Sequence, residues 1–450
     1  MHPAPPAPPD RHATGEFHFH AYDYAAPAPA PFTVSDPVAG AGNLRFYSLV
    51  QDLRALRALG EANGVPNIAE ASIGRTAGDR DIRMLSLGNA GNDPAAPALM
   101  ITGGIHAREW IAAEFTYLLA EYLVRHYSDN PVGDYQRALK QLIDSRRIYI
   151  LPMLNPDGNH TTVFGGLRDW RKNWRKLPGT NDDWVAELTS ANPPAINAPL
   201  ANLAVALNVT YDAPVYNAGK APAQWEHCAT NPHRTGVDLN RNYPTAAWGH
   251  AISRLEDGEW KLRGGNASSD TYFGTRGGLE AETRAVQNWL TVVAQAFPGG
   301  ITAMIDYHSY AQMILYPTEA WDRGEVGDDY KALGKALQEL VHTQGQRDYG
   351  LGPPRKVIGY DGLGSIVDYA AQQYQARAFT IELDPPHLTP DGFELPENQI
   401  EAVFEKNIRG ALALLAGPRR GAKGQKALIK QAARQFLDWD VYGRGDRLPT

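Results

Sequence analysis

His106 and Glu109 stand three residues apart in Gly104-Ile105-His106-Ala107-Arg108-Glu109-Trp110. At that spacing, at the start of a helix, an imidazole and a carboxylate can face the same way and supply two ligands to a metal. Catalytic zinc takes three protein ligands and leaves a fourth position for water, and two histidines with one glutamate are an established set. The third ligand would come from elsewhere in the chain; His308, at the end of an apolar run and followed by Ser309 and Tyr310, is the best candidate. A lone His-x-x-Glu also occurs by chance, and taken alone His106 is better read as a hydrogen-bonded surface or core histidine. Gly236-Val237-Asp238-Leu239-Asn240-Arg241-Asn242 sets Asn240 beside Arg241, several donors suited to clamping a carboxylate. Trp170-Arg171-Lys172-Asn173-Trp174-Arg175 interleaves aromatic rings with cations, as a basic surface loop with cation–π contacts does. Glu382 lies inside the apolar Phe379-Thr380-Ile381-Glu382-Leu383. Buried carboxylates are rare without a partner, so Glu382 is either half of a structural ion pair or a base with a raised pKa.

These residues need a scaffold, and the hydrophobic pattern supplies one. Leu49, Leu53, Leu56 and Leu59 recur at a helical period within 44–63, and 82–87 alternates like a strand. The run 97–101 reads as a buried strand, 110–126 as a helix, and 147–152 as a strand closed by the turn Asn155-Pro156-Asp157-Gly158. Helices follow over 280–296, 333–342 and 396–415, with strands over 301–307 and 377–383. Strands alternating with helices predict an α/β fold, a three-layer α/β/α arrangement with a mixed, mainly parallel central sheet. In such sheets ligands gather beyond the strand carboxyl ends. Three of these strands end in His106, His308 and Glu382.

The chain has 450 residues, 43% hydrophobic and 21% charged, with a net charge of −7. These are the proportions of a globular protein with a sizeable core. The negative charge argues against a nucleic-acid partner, which calls for a basic face. No run of eighteen apolar residues occurs, so no membrane span is expected. The single cysteine, Cys228, rules out an internal disulfide and a cysteine-built metal site. With no signal-peptide pattern at the N-terminus, the cytoplasm is the expected compartment, with secretion the alternative if the start codon is misassigned. Residues 1–42 read as a disordered Pro/Ala-rich arm, with eight prolines in the first 36 positions. Residues 43–416 read as the globular domain, with a long insertion at 176–234 rich in Asn, Pro and Ala. Residues 417–450 form an extension with eight Lys/Arg against three Asp/Glu, read as a solvated face. Nothing in the sequence assigns an oligomeric state.

Taken in order, the motifs closely resemble the zinc metallocarboxypeptidase family typified by pancreatic carboxypeptidases A and B. The resemblance runs from about 43 to 416. It rests on Gly104–Ile111, Asn155-Pro156-Asp157-Gly158, Trp170-Arg171-Lys172, Gly236–Asn242, His308-Ser309-Tyr310, Tyr360 and Phe379–Leu383. It implies that His106, Glu109 and His308 hold one Zn2+ per chain. It also implies that Glu382 is the base and proton shuttle, that Arg171 stabilises the oxyanion, and that Asn240, Arg241 and Tyr360 grip the terminal carboxylate of a peptide. Asp238 would orient His106, and Arg108 and Tyr310 would line outer subsites. Val367 would floor the specificity pocket with no counter-charge, which implies a preference for aromatic and branched aliphatic C-terminal residues. Glu319 and Arg355 fall near the pocket mouth and compete with that expectation.

The implied activity is hydrolysis of the C-terminal residue of peptides bearing a free carboxylate. Two other readings stand beside it: a zinc amidase or deacylase acting on cell-wall peptides or small acyl-amino acids, and a non-catalytic peptide-binding relative. The last sits poorly with a complete set of ligands and base. Measured against the family pattern, the reading expects no activation pro-domain of family size before residue 43, no export signal and no disulfides, a longer insertion at 176–234, and a longer loop leading to Tyr360.

Overall fold

The computed structural model describes residues 20–22, 32–34, 44–47, 49–164, 167–174, 236–245, 248, 252–256, 259–263, 269–274, 276–317, 325–341, 348–360, 362–387, 389 and 391–417. The insertion at 176–234 and the extension after 417 lie outside them, as does Glu319.

The apolar runs form an eight-stranded sheet. In chain order its strands are β1 Ala69–Arg75, β2 Asp81–Gly88, β3 Ala98–Thr102, β4 Arg147–Leu151, β5 Ile301–Ala311, β6 Met313–Leu315, β7 Gly350–Gly352 and β8 Arg377–Pro386. Their spatial order is β7-β6-β8-β5-β3-β4-β2-β1. The pairs β7-β6, β8-β5, β5-β3 and β3-β4 are parallel and the other three antiparallel, as the mixed, mainly parallel prediction has it. Among the described residues the helices longer than one turn are α1 Leu49–Ala62, α2 Trp110–His126, α3 Gly133–Asp144, α4 Pro156–Phe164, α5 Ala281–Ala296, α6 Glu325–Val341, α7 Ile366–Tyr374 and α8 Ile400–Ala416. No helix among the described residues is long and apolar enough to cross a membrane.

The central strands are apolar over most of their length because both faces are covered, with polar residues gathered toward their carboxyl ends. Successive side chains alternate between the two faces. Leu99, Ile101, Ile148, Ile150, Ile305, Tyr307, Phe379 and Ile381 join the core built with α1, α2, α3, α6 and α8. Ala98, Met100, Tyr149, Leu151, Met304 and Ala378 join the core under α5 and α7. Phe115 of α2 locks the first core, its ring 4.5 Å from Tyr307 and 5.5 Å from Phe404 of α8. Truncating a phenylalanine so placed costs about 3–5 kcal/mol, here directly behind His308.

Three expectations need correction. Asn155-Pro156-Asp157-Gly158 is not a free turn: Pro156 opens α4, where its missing N–H and fixed φ suit the first helical position, and Asn155 Oδ1 accepts the Gly158 N–H at 2.9 Å. The predicted helix over 44–63 begins only at Leu49, because Leu44–Tyr47 is a strand. That strand pairs with His20–Tyr22 and Phe32–Val34, so the proline-rich arm is not wholly without secondary structure; both segments carry the aromatic or β-branched residues that favour strands.

Candidate active site

β3 is the point where the sheet's winding reverses. The chain leaves it for β4 on one side, and β5 returns to lie on the other. A crevice opens beyond the carboxyl ends of such strands, and the register loads it. Thr102 lies opposite Asp306, Asp306 opposite Thr380, and His308 opposite Glu382. The two-residue period puts Asp306, His308, Thr380 and Glu382 on one face, the face covered by α5 and α7.

Beyond Thr102 the backbone turns through Gly104, whose φ of +64 favours glycine and where a Cβ would press on Met153 Sδ at 2.8 Å. The turn delivers His106 and Glu109. They precede α2 rather than lying within it. Glu109 is its N-cap residue but makes no side-chain capping bond; its carboxylate faces the histidines instead. Glu109 Oε1 lies 2.8 Å from His106 Nδ1, Glu109 Oε2 lies 2.9 Å from His308 Nδ1, and the two Nδ1 atoms are 3.1 Å apart. All three residues are buried. Burial pushes the Glu109 carboxyl up, but His106 and His308 outweigh it and hold the group well below the usual carboxylate range.

Two nitrogens and a carboxylate oxygen thus converge on one point, with the ligand atoms of the three residues within 4.8 Å of one another. The far nitrogens of both rings meet carboxylates: His106 Nε2 is 3.1 Å from Asp238 Oδ1, and His308 Nε2 is 2.7 Å from Asp306 Oδ2. A carboxylate behind each ring, with Nδ1 turned to a common centre, is the arrangement of a zinc site. The residues present fit the metal.

Arg171 and Asp238 form the next layer. Asp238 Oδ2 accepts from Arg171 Nε at 3.1 Å and pairs with Nη2 at 3.0 Å, while Arg171 Nη1 stands 3.6 Å from Glu109 Oε1. Burial opposes the charge on Arg171, but Asp238, Glu109 and Tyr360 outweigh it and raise its pKa. Burial likewise opposes the Asp238 charge; Arg171, His106 and Arg241 outweigh that and keep Asp238 ionised. Glu382, half-buried beside His308, is pushed up to about 8, chiefly by burial and further by Glu109 and Asp306, against the pull of His308 and Arg171.

The loop 236–242 ends in a one-turn helix, Leu239–Arg241, capped by Asp238. It is fastened to α7: Tyr243 N–H donates to Gly364 O at 2.9 Å and Ile366 N–H to Asn240 Oδ1 at 3.0 Å. Gly364 has φ +79, and a Cβ there would lie 2.7 Å from Arg241 O. The Arg241 guanidinium donates to Asn240 O at 2.7 Å and lies 6.0 Å from the Tyr360 ring centre, while its buried Nε has no hydrogen-bond partner among the described residues. The buried guanidinium is thus only partly satisfied. Val367 is buried in the first turn of α7, on the same side of the sheet as Thr380 and Glu382. Arg355 is exposed in the one-turn helix Pro354–Val357.

Arg108 and Tyr310 meet on a residue the sequence reading missed. Phe393 packs edge-on against Tyr310 at 4.9 Å and lies 4.3 Å beneath the Arg108 guanidinium. Arg108 is also tied to Asp169 at 2.9 Å. Lys172 and Asn173 are buried, so 170–174 is no simple surface loop; Trp174 is its exposed end. Asn173 Nδ2 donates to Glu280 Oε2 at 2.9 Å and Glu282 Oε2 at 3.2 Å, and Asn173 Oδ1 accepts the Val237 N–H at 2.8 Å. Asp306 and Glu282 were also missed. Asp306 has a signal in hindsight: a carboxylate two positions before His308 in an otherwise apolar strand.

A sequence profile described as zinc carboxypeptidase matches residues 57–410. Human carboxypeptidase B is 29% identical over 345 residues, covering 76% of this chain and 63% of its own. Zinc carboxypeptidase A 1 of Anopheles gambiae is 29% identical over 330 residues, covering 72% of this chain and 57% of its own. The chain therefore spans less than two thirds of the length of these relatives. Among solved structures, thrombin-activatable fibrinolysis inhibitor superposes with a TM-score of 0.57 at 21% identity, covering 87% of this chain and 75% of that one. Carboxypeptidase A from Helicoverpa armigera gives 0.55 at 23% identity, covering 86% and 73%. At such identities the likeness shows the shared fold.

Proposed function

The chain belongs to the zinc carboxypeptidase family, and on that footing we propose that it hydrolyses the C-terminal residue from peptides with a free terminal carboxylate. One observation carries the reading: the triad His106, Glu109 and His308 gathers with the Glu382 carboxyl and the Arg171 guanidinium, and Asp238 links Arg171 to Arg241 beside them. His106, Glu109 and His308 would hold a zinc ion, which would supply a Lewis acid and make water a stronger acid.

The side chains do the rest. Positive charge held at the triad favours the ionised form of Glu382, which accepts a proton from the attacking water and returns it to the leaving amine. Arg171, fixed by Asp238, presents Nη1 to the developing oxyanion. Arg241, with Asn240 and Tyr360 beside it, receives the terminal carboxylate. A substrate without that charge would leave a buried guanidinium unpaired, a large penalty. Val367 offers no counter-charge to a basic side chain, which supports a preference for aromatic and branched aliphatic terminal residues. The test compares a peptide ending in Phe as free acid and as amide. The free acid should be cleaved and the amide spared. Equal cleavage would remove the carboxylate clamp and favour an amidase acting on other acyl groups.

A further inference from the structure

His308 Nε2 has two polar neighbours that ask opposite things of the ring. Asp306, fully buried, stands with Oδ2 2.7 Å away, and its Oδ1 accepts the Thr102 hydroxyl at 2.6 Å. A carboxylate can only accept, so this contact calls for hydrogen on Nε2 and leaves the Nδ1 lone pair facing Glu109 and His106. The other neighbour is Asn240 Nδ2, 3.1 Å away. The Asn240 amide cannot be turned round at no cost, because its Oδ1 accepts the Ile366 N–H at 3.0 Å. An amide NH2 can only donate, so it calls for a bare Nε2 and moves the ring hydrogen to Nδ1, where it blocks a metal.

We propose that Asp306 is a positioning residue that holds His308 in its zinc-binding tautomer against Asn240, leaving the Asn240 NH2 for the substrate carboxylate. The arrangement matches that of Asp238 behind His106, but the two differ in what they oppose. Asp238 has the Asn240 backbone N–H on its own Oδ1 at 3.0 Å and, among the described residues, no competing donor at the His106 ring nitrogen it faces. Asp306 is anchored from the neighbouring strand by Thr102, so its carboxylate is fixed by the sheet register itself.

The proposal rests on zinc binding at the triad, and the test keeps the two apart. Zinc affinity is measured on the full chain by competition with a chromophoric chelator, for wild type, D306A, D306N, N240A and D306A/N240A. Wild type that takes up no zinc would sink the zinc reading itself. Given a zinc-binding wild type, D306A should bind zinc about 10–100-fold more weakly, the usual loss when a partner behind a histidine ligand is removed. D306N keeps an acceptor oxygen and should lose less. N240A alone should not weaken zinc binding. The double variant should bind more tightly than D306A, because the donor favouring the wrong tautomer is gone. If D306A unfolds in the absence of metal, D306N carries the comparison. Wild-type affinity in D306A, or in D306N where D306A is unfolded, would overturn the proposal, and so would a double variant no better than D306A.

Discussion

Arg171→Met separates the roles assigned to one guanidinium. The methionine keeps much of the volume and removes every donor. Arg171 is 12% exposed and makes two contacts to Asp238 at 3.0 and 3.1 Å, with Nη1 3.6 Å from Glu109. Loss of an oxyanion donor lowers kcat by about 10²–10³. Breaking a buried pair by removing one partner costs about 3–5 kcal/mol. Asp238 also faces His106 and accepts the Asn240 N–H, so the lower figure, about 3 kcal/mol, applies here. In a protein of this size that is a Tm shift of a few degrees. The variant should also hold zinc less tightly as pH falls. Without Arg171 the Asp238 carboxyl moves up toward the ordinary range, and once protonated it no longer serves His106 as an ionised acceptor. Arg171→Lys restores a charge but not the two-point contact, so it should recover more of the Tm than of kcat. Stopped assays on a peptide ending in Phe, thermal unfolding and chelator competition read the three effects. A methionine variant that turns over at the wild-type rate would refute the oxyanion assignment. Unchanged unfolding would refute the electrostatic role toward Asp238.

Glu382→Gln should retain zinc and bind peptide but lose kcat, because the amide cannot take a proton from water; loss of zinc would instead make Glu382 a ligand. Val367→Asp should shift kcat/KM across peptides ending in Phe, Leu, Lys, Arg and Glu toward the basic ones, and an unchanged ranking would remove Val367 from the pocket floor. The third case is Glu282, raised from 4.5 to about 8, first by burial and then by Glu280. A carboxyl whose folded pKa is raised contributes stability below the unfolded pKa that is lost as pH rises through the folded one. The shift is worth up to about 5 kcal/mol between pH 4 and 9. Glu282→Gln removes this dependence but buries an unpaired N–H costing about 1–3 kcal/mol. Its Tm should therefore lie below wild type at pH 4 and above it at pH 9; parallel Tm curves would contradict the assignment.

The triad, and the residues proposed as base and clamp, stand out in the sequence because each sits within a few residues of an apolar run whose end is visible, as Ile305-Asp306-Tyr307-His308 shows. That same run hid Asp306, since a lone carboxylate in a strand gains meaning only when Thr102 of the neighbouring strand is seen to anchor it. The Asn155 motif was recognised but misassigned: its side chain bonds Ile105 O and Lys172 O at 3.1 Å each, a tie between distant loops that no local pattern encodes. β6 and β7 have three residues apiece, too few for a period. Phe393 meets Tyr310 through a long-range contact. Residues 170–174 look like surface because they are rich in charge and aromatics, whereas Glu280 and Glu282 at the head of α5 draw Asn173 inward. Local chemistry was legible; cross-chain neutralisation of buried charge was not.

Zinc titration of metal-free protein, followed by release of the C-terminal residue from a peptide pool, tests the central claim most directly. Activity should rise linearly to about one equivalent, the count set by one triad, and stop, and His308→Ala should neither take up that zinc nor release a residue. Activity that is full without metal, or zinc held undiminished by His308→Ala, would contradict the account.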